Sequence, residues 1–312
     1  MPDFVVSTFK RLLKVRLTDA GELHEVRVLA EGHGVYFGLE RRGPLLFVAE
    51  RNVDIHHEAV SPQDPQNVIR MYLQFPWGKI LRLPLRYQSK NFVDLHQIKL
   101  DQSGIFLTTA KFPFILRKSL ISSSEIGLDL RQSAPEPYIR KDDHNHDAYH
   151  FNSIATWDDK LYVMAHNWDL PSFVVQTDLD AARRGAVKNL KVYEDIGSFC
   201  HDILPDRKAF WALDSGGGRL VNVDYTTEEK QYFEIAPPSP SPKEVGKMDV
   251  PFPRGLSRYQ NKLVIGYGFN ESRAERMNSE AMLAIFDIDK GCIINRVSLG
   301  RHGNTCAVMT LK

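Results

Sequence analysis

The stretch HFNSIATWDDKLYVMA, His150–Ala165, decides how the chain is read. A histidine opens a short apolar strand, Asp158 and Asp159 make a polar turn, and a second strand runs over Leu161–Ala165. The same phrase returns along the chain. It appears at His33 (HGVYFGLERRGPLLFVAE), His96 (HQIKLDQSGIFLTTA), His201 (HDILPDRKAFWALD), Arg254 (RGLSRYQNKLVIGYG) and His302 (HGNTCAVMTLK). The markers stand 48 to 63 residues apart, and wrapping from His302 through the chain end back to His33 takes 43 residues. That period matches one four-stranded propeller blade.

The interior of each unit agrees. Each marker strand is followed by an apolar run (LLFVAE, IFLTTA, LYVMA, FWALD, LVIGYG), and most units add two further strand candidates. Examples are NVIRMYLQF with KILRLPL, SFVVQTDL with LKVYED, and RLVNVD with KQYFEIA. Runs of 5 to 8 residues rich in Val, Ile, Leu, Tyr and Phe, bounded by Gly, Asp, Asn or Pro, are strand signals. Only ESRAERMNSEAML offers a helical turn, inside a unit where a loop also serves. The sixth unit has one strand after His302, whereas residues 3–30 supply FVVST, FKRLLKVRL and LHEVRVLAE before the first marker. The spacing therefore predicts an all-β, six-bladed β-propeller, a single domain over 1–312, closed by pairing the last strand with the first ones. Three stretches break the regularity, 51–66, 135–150 and the Pro-rich 237–253, and read as connections on a binding rim.

Composition restricts the function classes. With 40 basic against 39 acidic residues and 43% hydrophobic content, the 312-residue chain lacks the charge of a nucleic-acid surface or a membrane-binding face. No apolar run is long enough to span a bilayer, and the N-terminus lacks the pattern of a secretory leader. Cys200, Cys292 and Cys306 form no C-x-x-C pair and read as buried small apolar residues in a reducing cytoplasm.

Histidine is scarce, 11 residues in all, yet His33, His96, His150, His201 and His302 hold the marker position. In a propeller the innermost strand of each blade lines the axis, so residues at one register form a ring. Converging neutral imidazoles suit a divalent metal, and three or four of these five are the expected ligands. Arg254, the sixth marker, is a poor ligand but a good anchor for a carboxylate, phosphate or enolate. Asp202, Asn152 and Asn304 are candidate secondary groups beside their histidines; the asparagines could equally bond blade to blade. A metal-free polar funnel is the plain alternative for the ring. His56, His57, His144 and His146 read as loop residues, His166 as a packing or turn residue, and Arg273 and Arg276 as surface ion-pair formers, with contact to a rim ligand as the alternative. SGGGRL, residues 215–220, joins two strand candidates and so reads as a hairpin turn. The sequence carries no G-x-S-x-G nucleophile elbow, H-E-x-x-H zinc motif or Walker-type loop.

The phrases HFNSIATWDDKLYVMAHN, FPRGLSRYQNKLVIGYGFNESRAER and ALDSGGGRLVNVD resemble bacterial six-bladed propellers related to the SMP-30/gluconolactonase and NHL-like groups. SMP-30-type lactonases hold an axial metal with carboxylates and amides; the histidines here depart from that, so lactonase activity does not follow. A histidine-lined axis is similar in site design to carotenoid oxygenases, with iron on four histidines, and to oligogalacturonate lyases. Together these readings point to an enzyme acting on a small anionic organic substrate through a divalent metal. Iron with oxygen chemistry comes first, and manganese or zinc with lyase or isomerase chemistry second. The competing class is a non-catalytic scaffold that binds a protein or carbohydrate on its loop face.

Overall fold

In the computed structural model the described residues are 1–52, 66–75, 79–109, 114–136, 149–235, 251–269 and 273–311; of Arg273 and Ala274 only the backbone is described. They form six four-stranded antiparallel sheets. Blade 1 holds β4 (Val35–Arg42), β5 (Leu45–Arg51), β6 (Val68–Gln74) and β7 (Ile80–Gln88). Blade 2 holds β8 (Leu95–Leu100), β9 (Gly104–Thr109), β10 (Phe114–Ser119) and β11 (Glu125–Asp129). Blade 3 holds β12 (Phe151–Trp157), β13 (Lys160–Ala165), β14 (Ser172–Asp178) and β15 (Lys191–Gly197), with a short helix α1 (Leu179–Arg183) before β15. Blade 4 holds β16 (His201–Pro205), β17 (Ala209–Asp214), β18 (Arg219–Asp224) and β19 (Lys230–Glu234). Blade 5 holds β20 (Pro251–Tyr259), β21 (Lys262–Phe269), β22 (Ala281–Asp287) and β23 (Cys292–Gly300), with one helical turn α2 (Arg273–Arg276) after β21.

Blade 6 is the closure expected from the sequence. Its inner strand is β24 (Thr305–Leu311), and β1 (Asp3–Thr8), β2 (Arg11–Leu17) and β3 (Leu23–Glu31) complete it. β24 pairs with β1 from Asp3–Leu311 to Thr8–Thr305. The chain ends thus lock each other within one sheet. The inner strands β24, β4, β8, β12, β16 and β20 neighbour one another around the axis.

Each pair of adjacent blades encloses its own apolar core. β5 sends Leu46 and Val48 toward blade 6 but Phe47 and Ala49 toward blade 2. β13 divides Leu161, Val163 and Ala165 from Tyr162 and Met164 in the same way. Because both faces of a second strand are covered, its sequence is a continuous apolar run rather than an alternating one. Outer strands face solvent and change character: β3 and β7 are largely exposed, and Pro84 within β7 blunts an edge.

One particular, the exposure of Cys292, corrects the sequence reading, and the others bear it out or lie outside the described residues. The ESRAERMNSEAML segment is the α2 turn followed by the start of β22. Cys292 is exposed, while Cys200 and Cys306 are buried as expected. SGGGRL does make the turn between β17 and β18. His56, His57, His144, His146 and most of the three irregular connections lie outside the described residues. Among the described residues no helix is long and apolar enough to cross a membrane.

Candidate functional site at the axial mouth

All six inner strands carry one extra residue relative to their partner strands. In β8, Leu95 faces Thr109 but Ile98 faces Leu107; in β20, Pro253 faces Tyr267 but Leu256 faces Ile265. The same slip occurs in β4, β12, β16 and β24. A bulge of this kind re-aims side chains. Counting from the slip, and from which face of each second strand meets the neighbouring blade, Phe37, His96, Asn152, His201, Arg254 and Cys306 occupy one level. The residue two places before this level is left-handed in three successive blades: Asp94 (φ 50°), His150 (φ 46°) and Phe199 (φ 52°).

The bulges are tied blade to blade. Asn152 donates its side-chain amide to the Cys200 carbonyl at 3.0 Å, and Ser153 Oγ donates to Asn152 Oδ1 at 2.8 Å. The Asp202 amide donates to Ser153 Oγ at 2.7 Å, and the Gly255 amide donates to the Asp202 carboxylate. Asn304 donates to the Phe269 carbonyl of blade 5 at 2.8 Å. Asn152 and Asn304 thus take the structural half of their sequence reading. Glycine is required at two places in this hoop. A Cβ on Gly38 would stand 2.7 Å from the backbone of Gln97, and Gly255, at φ +91°, would meet Ala307 and Val308 backbone at 2.8 Å.

Above the hoop, where the inner strands begin, four imidazoles form an unbroken chain. Ring centroids are 5.0 Å apart for His96–His150, 4.8 Å for His150–His166 and 5.4 Å for His166–His201. Aromatic rings flank the chain: Phe37 lies 5.0 Å from His96, Phe199 4.8 Å from His166, and Phe252 5.5 Å from His201. Trp168 leans on both His150 and His166, at 4.7 and 5.1 Å.

His166 belongs to this cluster, contrary to its reading as a packing residue. The signal was in the hairpin: with one extra residue allowed in β12, His166 falls opposite His150, and its amide donates to the His150 carbonyl at 3.2 Å. His33 and His302 are the opposite correction. Phe37 and Cys306 hold the ring level in β4 and β24, whereas His33 lies in the bend before β4. His302 Nδ1 meets the Arg11 guanidinium at 2.6 Å, beside β2 rather than among the four rings. The repeated sequence phrase begins in a connection of variable length, so a common distance from its start is not a common height on the axis.

Hydrogen bonding sets the tautomers. His96 Nδ1 faces the Asp94 carbonyl at 2.8 Å, and His201 Nδ1 faces the Phe199 carbonyl at 2.8 Å. Carbonyls only accept, so both rings carry their proton on Nδ1, which leaves Nε2 with the lone pair. Ser215 Oγ, which donates to the Pro253 carbonyl at 2.6 Å, offers its lone pair to the same His201 N–H at 2.9 Å. Burial pushes His96 down to about 3 and holds His166 and His201 well below the usual imidazole range, with Arg254 adding to each shift. These three rings are neutral at physiological pH.

The positive charge comes from arginines. Arg254 rises from the ring level with its guanidinium 5.1 Å from the Phe252 ring. Burial, then the charge of Arg276, lowers its pKa to about 10, so it stays cationic. Arg276 lies over Phe9, at 6.0 Å, and its charge reaches Arg254. Arg51 lies 4.4 Å over Phe37 and pairs with Asp94. No carboxylate pairs with Arg254 among the described residues. Among the described residues, five buried polar atoms of this cluster lack a hydrogen-bond partner: Arg51 Nε, Arg254 Nε, His201 Nε2 and both ring nitrogens of His166. Buried polar atoms are rarely left so, and a cluster of them marks a place for a ligand.

As placed, no three His, Cys, Asp or Glu side chains among the described residues converge tightly enough to hold a metal ion. Asp202, expected beside the histidines, lies just below them; burial raises its carboxyl to about 7, and it stands in the wall of a separate cavity.

Comparison with known proteins supports the architecture. A chain of a nidogen/laminin complex matches at a TM-score of 0.67 with 11% identity, over 99% of this chain and 98% of that one. A putative 6-phosphogluconolactonase from Bacteroides fragilis NCTC 9343 matches at a TM-score of 0.55 with 9% identity, over 100% and 98%. At such identities the likeness is one of fold alone. No family model matches the chain, so kinship with the SMP-30/gluconolactonase group gains no support, and no curated protein matches it either.

Proposed function

We propose that the protein is an enzyme that binds a small organic anion at the axial mouth and moves a proton on it. The observation that carries this reading is the clustering of orphaned polar atoms around an arginine without a carboxylate partner among the described residues. A carboxylate or phosphate would accept from Arg254, with Arg51 and Arg276 adding positive potential. Removed from water, such charge-assisted contacts are strong. The His201 lone pair is then the base: it takes a proton from the carbon next to the bound carboxylate and returns it to the same or a neighbouring carbon. The resulting enolate oxygen is held by the guanidinium. Anion binding offsets the charge of Arg254, which raises His201 toward a useful basicity. His96, locked in the same tautomer, supplies a second acceptor.

This reading retains the small anionic substrate and the isomerase part of the sequence expectation. It derives no step through iron, manganese or zinc, because no set of side chains among the described residues, as placed, fits a metal. Titrating tag-free protein with mono- and dicarboxylates and phosphorylated small acids tests it, together with deuterium exchange into the bound acid followed by NMR. Saturable binding lost in Arg254→Gln, with exchange lost in His201→Gln, is the expected result. Stoichiometric metal that disappears in His96→Ala/His201→Ala would replace this reading with the metalloenzyme.

The second reading is a binding scaffold. It draws on Trp168 and Phe199, which stay 38% and 37% exposed at the mouth and offer a stacking surface for a carbohydrate. Tight sugar binding without exchange into any acid would favour it.

A further inference from the structure

We propose that the second half of the axial channel is a separate binding site for a small organic ammonium ion, anchored on the Asp202 carboxylate. The channel below the bulge hoop opens into a cavity of about 280 Å³. That is close to the lower end of small-ligand sites, which run from about 300 to 1,000 Å³. Ile98, Ile154, Ile203, Leu256 and Val308 furnish apolar walls, and Trp157, 42% exposed, stands at the rim.

The charges in this wall are few. Glu40 and Lys99 pair with each other at 2.7 Å and cancel. Asp202 is left, 7% exposed, with one hydrogen bond from the Gly255 amide and no ion pair to a basic side chain among the described residues. A carboxylate offers about four acceptor positions. A buried one with a single donor is costly unless it is protonated or meets a cation. An ammonium group supplies both the charge and up to three donors, while an apolar body fills the walls. The cationic chamber above the hoop attracts anions and repels ammonium ions, so the two ends of one axis select opposite charges. This site rests on Asp202 and the lower walls, independently of the anion reading.

Calorimetric titration of the full chain with phenethylammonium, against phenethyl alcohol of the same shape, tests the proposal. The ammonium should bind at one site about tenfold or more tighter than the alcohol, as expected for a hydrogen bond to a charged group. Asp202→Asn should remove that preference. Arg254→Gln removes a cation that acts on Asp202, so the absolute affinity shifts, but the preference for ammonium over the alcohol should persist, which separates this site from the upper cluster. Should Asp202→Asn fail to fold, Thr156→Trp, which fills the cavity from its partly exposed wall, should abolish binding with the fold intact. Equal affinity for alcohol and ammonium, undiminished binding in either lower-cavity variant, loss of the ammonium preference in Arg254→Gln, or no saturable binding by folded protein would each overturn the assignment.

Discussion

The two halves of the axial channel are built by the same six strands, yet they hold opposite chemistry. Above the bulge hoop stand imidazoles and guanidiniums with orphaned nitrogens; below it are aliphatic walls, one cancelled ion pair and one lone carboxyl. The framework is shared: one extra residue per inner strand, with amides satisfied across blades. Chemistry is set by what each strand places just before and just after that extra residue. His201 and Asp202 are neighbours in sequence and serve different chambers.

The shared framework breaks most readily at Gly255. Alanine there must accept a left-handed backbone and contacts of 2.8 Å with Ala307 and Val308, so a loss of about 3 kcal/mol or more in urea unfolding is expected, with both chambers affected. A loss confined to one chamber would mean the hoop is not common to both. Removing the upper charge with Arg254→Gln should weaken organic-anion binding about 100-fold by calorimetry, since a charge-assisted pair is worth roughly 2–3 kcal/mol, while leaving the lower cavity intact.

The lower carboxyl should show itself through pH. Burial raises Asp202 to about 7, so the folded protein keeps a proton that the unfolded chain releases near the ordinary carboxyl value of 3.8. Its stabilising effect is complete below that value and is lost as pH rises through 7. Asp202→Asn, neutral throughout, should gain about 2–3 kcal/mol on wild type between pH 5 and 8, at ~1.4 kcal/mol per unit. A difference that does not vary with pH would put an ordinary carboxylate there. In the upper chamber, His166→Phe removes two orphaned nitrogens; about 1–2 kcal/mol more stability with weaker anion binding is expected, whereas a loss of stability would mean these nitrogens have partners. The smallest effect belongs to Glu40→Gln, which splits a partly exposed pair and should cost under about 1 kcal/mol.

Much of this architecture was legible because a blade's second strand is covered on both faces. LLFVAE, LYVMA and LVIGYG could only be buried strands, and the lone strand after His302 called for partners from residues 3–30. His96, His150, His201 and Arg254 were also legible, since their markers lie within two residues of the level of the bulge or of the left-handed turn before it. His33 and His302 misled because the connections before β4 and β24 set their own length. His166 was missed because it stands one residue past the end of β13, where its amide meets the His150 carbonyl across the hairpin.

The sequence by itself determined the number of blades, the closure of the ring and the residue types gathered near its axis, because periodicity and two-sided burial are local properties of a repeating unit. Only the tertiary structure decided which of those residues meet, which tautomers they hold and that Asp202 turns away from the histidines beside it. Those outcomes depend on bulges and blade-to-blade hydrogen bonds between strands some fifty residues apart, which no local pattern encodes.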